Sequence, residues 1–245
     1  MVDKIIIFDI IKMSITFVSG YWNLGKKSKY GENTYTNTWF KNTLKTNHPY
    51  IFFVTKDTID VIKKYREGLP TTYVFLEIED FTTYYLKDNI SIDRLVCPCP
   101  ELGLIWHEKI FLVQRAWEMN PYNTDYFQWI DAGIVAHRKR PPVNPVVSPK
   151  RVSQLPKNKF IFSGYYSYGT NRYISGTSFT IHKDFIILYS ELYIKYLEKY
   201  RDRGIPTDEE LNTFIFKDYP EIYHRDGFGF GRNVNWLFES SIFSL

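Results

Sequence analysis

The chain has 245 residues, of which 44% are hydrophobic and 18% aromatic, and its formal net charge is +4. A chain of this length buries enough surface to form one stable domain without disulfide bonds. The small, dispersed positive charge does not indicate nucleic-acid binding, and the longest apolar run is too short and too interrupted to cross a bilayer. We therefore expect no nucleic-acid partner and no transmembrane segment.

Three local features limit the cellular setting and the ligand class. The 20 Tyr and 6 Trp could stack on sugars or bases, although an AT-rich genome also encodes many aromatic residues. The two cysteines, Cys97 and Cys99, belong to no Cys/His cluster and are expected to be reduced thiols of an intracellular, cytoplasmic protein. Residues 1–12 carry Asp3 and Asp9 and no small-residue cleavage site, so we expect a lead-in segment rather than a signal peptide.

Strand and helix signals alternate through the first half of the chain. β-Branched and aromatic runs predict strands, and amphipathic segments between them predict helices. This order is typical of a parallel sheet with right-handed crossovers. The predicted elements are strands at 15–18, 50–54, 72–76 and 126–130 and helices at 35–45, 58–65 and 105–119.

The second half begins with a stretch at 138–155 that contains four prolines and is predicted to be an extended loop. Thr207 and Glu210 have the spacing of a capping box and predict the start of a helix. The other predicted elements are strands at 159–163 and 174–181, a helix at 184–200, a loop through Gly169 and a turn-rich tail at 226–231. We expect a single α/β domain with a mostly parallel central sheet flanked by helices.

Two loops are placed to bind a ligand. In open α/β sheets, ligands lie outside the carboxyl ends of parallel strands, which selects the segments 19–21 and 131–133. Glycine lets backbone N–H groups approach a phosphate, and Tyr21 could stack on a base. Asp131 could hold a divalent cation, or it could be a turn or helix-capping residue.

The pattern TFVSGYW at 16–22, WHEK at 106–109 and WIDAG at 129–133 resembles the HtrL/YibB family, which is grouped with nucleotide-diphospho-sugar transferases of the GT-A fold. The similarity runs from Ile15 to about His224. It implies a GT-A-like (Rossmann-like) domain with a nucleotide-sugar-binding half at 13–137 and an acceptor-binding half at 156–245. It also implies a glycosyltransferase that uses a nucleotide-diphosphate sugar donor and a glycan or other hydroxyl acceptor.

The resemblance also implies roles for individual residues. Asp208 or Glu209 would be the catalytic base, and Asp131 and His224 would bind a divalent metal, expected to be manganese. Gly133 departs from the usual Asp-x-Asp pattern of GT-A enzymes, which leaves one carboxylate there and makes metal dependence an open point. The implied donor-binding residues are Ser19, Gly20, Tyr21, His107, Lys109, Asp131 and Gly133, and the implied acceptor-binding residues are Ser175, Gly176 and Glu210.

Each of these residues also has a structural interpretation. His107 and Lys109 could lie on a solvated helix face, His224 could be structural, and acids at a helix start complement its dipole. Gly176 could mark a bulge in its strand. The missing second acid at position 133 keeps open a non-catalytic glycan-binding module, and a nucleic-acid binder is disfavoured because the sequence has no concentrated basic stripe.

Overall fold

The structure, a computed structural model, describes residues 15–141, 147–164 and 174–228. The lead-in at 1–12, most of the predicted loop through Gly169, and the end of the tail after 228 lie outside these residues. None of the described helices has the length and apolarity needed to cross a membrane.

One seven-stranded sheet forms the centre of the fold, in the order β3-β2-β1-β4-β6-β5-β7. Only β6 runs antiparallel to its neighbours β4 and β5, so the predicted mostly parallel sheet is confirmed. The carboxyl ends of β1 and β4 therefore lie side by side at one edge. The strands are β1 Ile15–Tyr21, β2 Tyr50–Val54, β3 Thr71–Phe75, β4 Tyr126–Ile130, β5 Phe160–Gly164, β6 Ile174–His182 and β7 Tyr223–Phe228.

Helices cover both faces of the sheet, as predicted. Helices α3, α5 and α6 pack on one face with Phe127 and Trp129 of β4, and α1, α2 and α4 pack on the other with Tyr126 and Ile130. All five residues of β4 are buried, which is typical of a central strand covered on both sides. The helices are α1 Phe40–Thr43, α2 Ile59–Arg66, α3 Pro100–Met119, α4 Pro149–Ser153, α5 Lys183–Tyr200 and α6 Asp208–Asp218.

The structure differs from the predicted elements at four places. A π-helical segment, Thr34–Trp39, precedes α1 where one helix was expected. Helix α3 begins at Pro100 rather than at residue 105, and α4 begins at Pro149 inside the predicted loop; proline is favourable at the first position of a helix, where its missing N–H costs nothing. Residues 226–228, expected to be a turn, belong to β7, which pairs with β5 across 63 residues or more of sequence.

Candidate functional site

A cleft opens at the edge of the sheet where β1 and β4 end. Its empty volume is about 710 Å³, and part of this volume is open to solvent. The loops after both strands and the first half of α3 form its walls. The side chains at its surface include Tyr21, Trp22, Tyr35, Trp106, Lys109 and Arg138. Gly20, Asp131 and Gly133 line the same cleft, so the structure brings the two predicted loops together.

Lys109 joins the two halves of the site. Its side chain is almost fully buried, and Nζ donates to the carbonyl oxygen of Gly176 at 2.7 Å and to Oδ2 of Asp208 at 2.9 Å. Nζ also lies 3.3 Å from Oδ1 of Asp131. Burial alone would lower the pKa of Lys109, but the fields of Asp131, Asp208 and Glu209 raise it above its usual value. The ammonium group is thus held by three acceptors of the protein itself, and Lys109 also lines the cleft in which the predicted diphosphate would lie.

Asp131 is partly buried at the end of β4. Its Oδ1 accepts a hydrogen bond from the indole Nε1 of Trp129 at 2.8 Å, and its backbone N–H donates to the carbonyl oxygen of Thr177 at 2.9 Å. Burial raises the pKa of the Asp131 carboxyl group, and the nearby Lys109 ammonium opposes that shift. Asp131 is therefore a carboxylate at the cleft held by Trp129 and Lys109. It also begins a turn, because its carbonyl oxygen accepts a hydrogen bond from the Ile134 N–H at 2.9 Å.

Three side chains fix the loop after β4 by donating to its carbonyl groups. Ser19 Oγ and Arg138 Nε each donate at 2.7 Å, and Thr43 Oγ1 makes a third, short contact. The accepting carbonyl oxygens belong to Ile130, Gly133 and Ala132, respectively. Ser19 is fully buried, so it positions the loop and does not line the cleft.

Gly133 stands where the family resemblance would have a second acid. A Cβ atom there would lie 2.8 Å from Cε3 of Trp39 and 3.2 Å from Cε1 of Tyr35. Contacts under 3.0 Å do not occur in practice, because a packed ring would have to move. The space for a side chain at this position is taken by the rings of the π-helical segment, which gives a packing reason for the glycine.

Gly176 makes room for the acids that begin α6. A Cβ atom at Gly176 would lie 2.5 Å from Oδ2 of Asp208, so only glycine lets α6 approach β6 this closely. The N–H of Gly176 donates to Oε1 of Glu209 at 3.0 Å, while its carbonyl oxygen accepts from Lys109. Asp208 is 5% exposed, and Glu209 is more accessible. The glycine serves this close approach, and it also lies in an irregular part of β6, as the bulge interpretation predicted. Phe179 pairs with Phe162 and Ile174 with Gly164, so residues 175–178 of β6 lie opposite Ser163 alone.

Thr207 and Glu210 form the predicted capping box. The Thr207 hydroxyl accepts from the N–H of Glu210 at 3.3 Å, and Oε2 of Glu210 accepts from the Thr207 N–H at 3.1 Å. Glu210 thus holds the start of α6 in place. Ser175, the other residue expected on the acceptor side, is buried, and its hydroxyl lies 3.0 Å from that of Thr177.

His107 lies away from the cleft. Its Nδ1 is 2.9 Å from the hydroxyl of Tyr193 and its Nε2 is 2.8 Å from the carbonyl oxygen of Pro206. A carbonyl only accepts, so Nε2 carries the hydrogen and Tyr193 donates to Nδ1. Burial lowers the pKa of His107 to about 4. The structure thus places His107 as a support for the segment before α6, not beside Lys109 at the donor site.

The structure does not bring His224 to Asp131. His224 is exposed on the edge strand β7, and two strands lie between β7 and β4. Three strand spacings amount to roughly 14 Å, well beyond the reach of a shared metal ion. Within the described ranges, no three His, Cys, Asp or Glu side chains are grouped as metal ligands would be. Asp131 and Asp208 share the Lys109 ammonium group, and this arrangement does not fit a resident divalent cation.

Arg138 is the main site residue that the sequence reading missed. Its guanidinium carbon lies 3.5 Å from the ring centroid of Trp39 and 5.4 Å from that of Tyr30. Trp39 and Tyr35 come from a segment predicted only as an ordinary helix. The available signal was the position of a basic residue five places after Gly133, which the proline-rich character of 138–155 obscured.

Comparison with known proteins gives distant structural likenesses. No protein-family model and no curated protein sequence matches the chain. The chain is similar to a glycosyltransferase involved in the glycosylation of the major capsid of PBCV-1, at 15% identity and a TM-score of 0.43, over 86% of this chain and 81% of that chain. Mouse xyloside xylosyltransferase 1 in its apo form has 11% identity and a TM-score of 0.48, over 87% and 84%.

A third likeness is to 4-diphosphocytidyl-2C-methyl-D-erythritol synthase from Anaerococcus prevotii, at 17% identity and a TM-score of 0.40, over 89% of this chain and 88% of that chain. At this distance the three structures assign neither an activity nor a substrate to this chain. The function has to be argued from the residues of the cleft.

Proposed function

We propose that this chain is a glycosyltransferase that moves a sugar from a nucleotide-diphosphate donor to a hydroxyl group of a glycan or other acceptor. The observation that carries the proposal is the bridge made by Lys109. Asp131, at the end of a central parallel strand, and Asp208, at the start of α6, lie 3.3 and 2.9 Å from one buried ammonium group. Two carboxylates from distant parts of the chain are thus held at the floor of an aromatic cleft, consistent with the resemblance to the HtrL/YibB family.

The donor would bind at the ends of β1 and β4. Tyr21, Trp22 and Trp106 give this cleft flat apolar walls, which suit a nucleobase or a sugar ring. The backbone at Gly20 is covered by Trp22: a Cβ atom there would lie 2.4 Å from its ring. This close packing shapes the wall, and the base and the donor sugar would lie along it at the switch point of the sheet. We propose residues 13–137 as the donor-binding half of the chain.

The acceptor would bind on the side of β6 and α6, in the half at 156–245. In the proposed reaction, a carboxylate takes the proton of the acceptor hydroxyl as its oxygen bonds to the anomeric carbon. The bond from that carbon to the diphosphate oxygen breaks, and the electron pair leaves with the diphosphate. Glu209 is the more accessible candidate base, and Asp208, ion-paired to Lys109, is the second.

The test is binding and turnover with a panel of nucleotide sugars. Ligands that bind only the folded state raise the melting temperature, so at least one nucleoside diphosphate or its sugar should stabilise the wild type. Asp131→Asn should change that stabilisation, because Asp131 lines the proposed donor cleft. Glu209→Gln and Asp208→Asn should keep it but slow release of the nucleoside diphosphate from the sugar donor.

The control is Asp125→Asn, which removes a carboxylate from an exposed ion pair with Lys183. It should change neither binding nor turnover. A wild type that no nucleotide stabilises, but that a glycan panel does, would replace the transferase proposal with the glycan-binding module. Unchanged turnover in both Glu209→Gln and Asp208→Asn would remove the assignment of the base.

A further inference from the structure

The carboxylates around Lys109 leave a bound diphosphate without a positive partner. Asp131 and Asp208 together carry two negative charges against the single positive charge of Lys109. That ammonium group already donates to Gly176 and Asp208 and lies 3.3 Å from Asp131. Like charges at such separations repel, so a diphosphate entering the cleft needs a further cation close to Asp131.

A resident divalent ion is not provided for by the described residues. The other carboxylate near Asp131, that of Asp208, is ion-paired with Lys109. A further acid at position 133 has no room, because Trp39 and Tyr35 fill the space where its side chain would extend. Oδ1 of Asp131 is already shared between the Trp129 indole and Lys109. The cation has to come from another side chain at the cleft.

Arg138 is fixed at this point of the cleft. Its Nε donates to the carbonyl oxygen of Gly133 at 2.7 Å, and its guanidinium plane lies over Trp39, with 3.5 Å between the guanidinium carbon and the ring centroid. Within the described part of the chain, its Nη1 and Nη2 make no hydrogen bond. A stacked guanidinium held through Nε keeps both Nη groups for two parallel hydrogen bonds to an anion.

The electrostatics of Tyr35 support the same placement. Burial and, after it, the charge of Asp131 raise the pKa of Tyr35 to about 12, although Arg138 opposes the shift. Both charged groups therefore act on one phenol, and all three residues line the cleft. The guanidinium and the carboxylate of Asp131 thus border the same part of the cleft.

We propose that Arg138 is the cation that binds the diphosphate of the donor, and that it does so without a resident metal ion. This inference rests on the proposed function, since it presumes a nucleoside diphosphate in the cleft. A second carboxylate at position 133 would help to bind a metal ion. Gly133 leaves that space to Trp39, and the guanidinium group of Arg138 stacks on the Trp39 ring. The ring that excludes the second acid is the same ring on which Arg138 stacks.

The test measures binding of UDP, GDP, CDP and ADP, and of the corresponding nucleosides, by calorimetry in EDTA and in manganese. The wild type should bind its preferred diphosphate with the same affinity, within twofold, in both conditions. Arg138→Ala should weaken diphosphate binding about 10- to 100-fold, the range expected for lost charge-assisted hydrogen bonds. Binding of the matching nucleoside, which lacks phosphate, should stay within twofold.

Arg140→Ala is the matched control, because Arg140 is an exposed arginine two residues away. It should leave diphosphate binding within twofold of the wild type. Should Arg138→Ala fail to fold, Arg138→Lys decides: it keeps the charge but cannot hold Gly133 and two phosphate oxygens together, so binding should still weaken at least fivefold.

Two failures are distinguishable. If the wild type binds a diphosphate but requires manganese, or if the Arg138 variants bind as tightly as Arg140→Ala, the inference is overturned and the transferase proposal stands. If the wild type binds no nucleotide in either condition, the proposed function itself fails.

Discussion

Gly133 and Gly176 lie on opposite sides of Lys109, and each lets a neighbouring group approach the backbone closely. At Gly133 the neighbour is the ring of Trp39, 2.8 Å from where a Cβ atom would stand, and at Gly176 it is the carboxylate of Asp208, at 2.5 Å. One glycine admits an aromatic ring in place of an acid, and the other admits an acid. The charge of the site is thus set by packing on both sides, with Lys109 between them.

Removing the ammonium group of Lys109 should cause the largest loss of stability, because this group lies between the two sides of the site. Lys109→Met leaves two carboxylates and the carbonyl group of Gly176 without their shared cation. Breaking a buried ion pair by deleting one partner costs about 3–5 kcal/mol of unfolding free energy. Urea unfolding at neutral pH measures this loss.

Lys183→Met is the matched control for that experiment. Lys183 forms an ion pair with Asp125 at 2.7 Å, but both side chains are about 40% exposed. Such surface pairs contribute at most about 1 kcal/mol. Equal losses of stability in the two variants would contradict the central place of Lys109.

Adding a methyl group at Gly176 should cause the second largest loss of stability, on the side of the site where the acids of α6 lie. Gly176→Ala has to displace Asp208, which Lys109 holds, or separate β6 from α6. We expect a loss of about 2–3 kcal/mol, at the upper end of the range for overpacked cores. Turnover should fall together with stability, and a variant with full turnover would mean that Asp208 is free to move.

The same substitution to alanine should cost less stability at Gly133, where the neighbour is an aromatic ring. Gly133→Ala meets the Trp39 ring at 2.8 Å, a less severe overlap than the 2.5 Å at Gly176, so we expect a loss of about 1 kcal/mol in unfolding experiments. Gly31→Ala is the control for both glycine variants, because no atom lies within 4 Å of its Cβ position. A larger loss for Gly133→Ala than for Gly176→Ala would reverse the comparison.

Lowering the pH should weaken the support that His107 gives to the segment before α6. Burial lowers the pKa of His107 from 6.5 to about 4, so between these values the unfolded state binds more protons than the folded state. Stability is therefore complete above pH 6.5 and falls as the pH drops towards 4, by up to about 1.4 kcal/mol per pH unit for this histidine. Urea unfolding from pH 7.5 to 5 should show a shallower dependence for His107→Gln than for the wild type.

The smallest effect should come from the cap of α6. Thr207→Ala removes the side chain that accepts from the Glu210 N–H, which typically costs about 1 kcal/mol. Calorimetric melting measures it. A loss no larger than experimental error would mean that contacts of Asp208 and Glu209 with β6, rather than the cap, fix the start of this helix.

Local patterns were enough to predict the framework of the fold. Strands such as β2 and β4 are continuous runs of buried residues, and the Thr207–Glu210 cap is encoded within four positions. β7 was missed because its pairing with β5 depends on residues far apart in sequence, which no local pattern carries.

The same limit of local patterns explains why the site was predicted only in part. Gly20, Tyr21, Asp131 and Gly133 do meet at one cleft, because the rule about strand ends is topological. His107 was placed beside Lys109, yet residues two apart on a helix point in different directions, so only one of them can reach the floor between β4 and β6.

The most direct test of the account is a crystal structure of the wild type with the nucleoside diphosphate that stabilises it best. The account predicts the diphosphate in the cleft, with phosphate oxygens at hydrogen-bond distance from Nη1 and Nη2 of Arg138. Lys109 should still bridge Asp131 and Asp208. A diphosphate bound elsewhere, or a Lys109 that leaves both carboxylates to contact the phosphates, would contradict it.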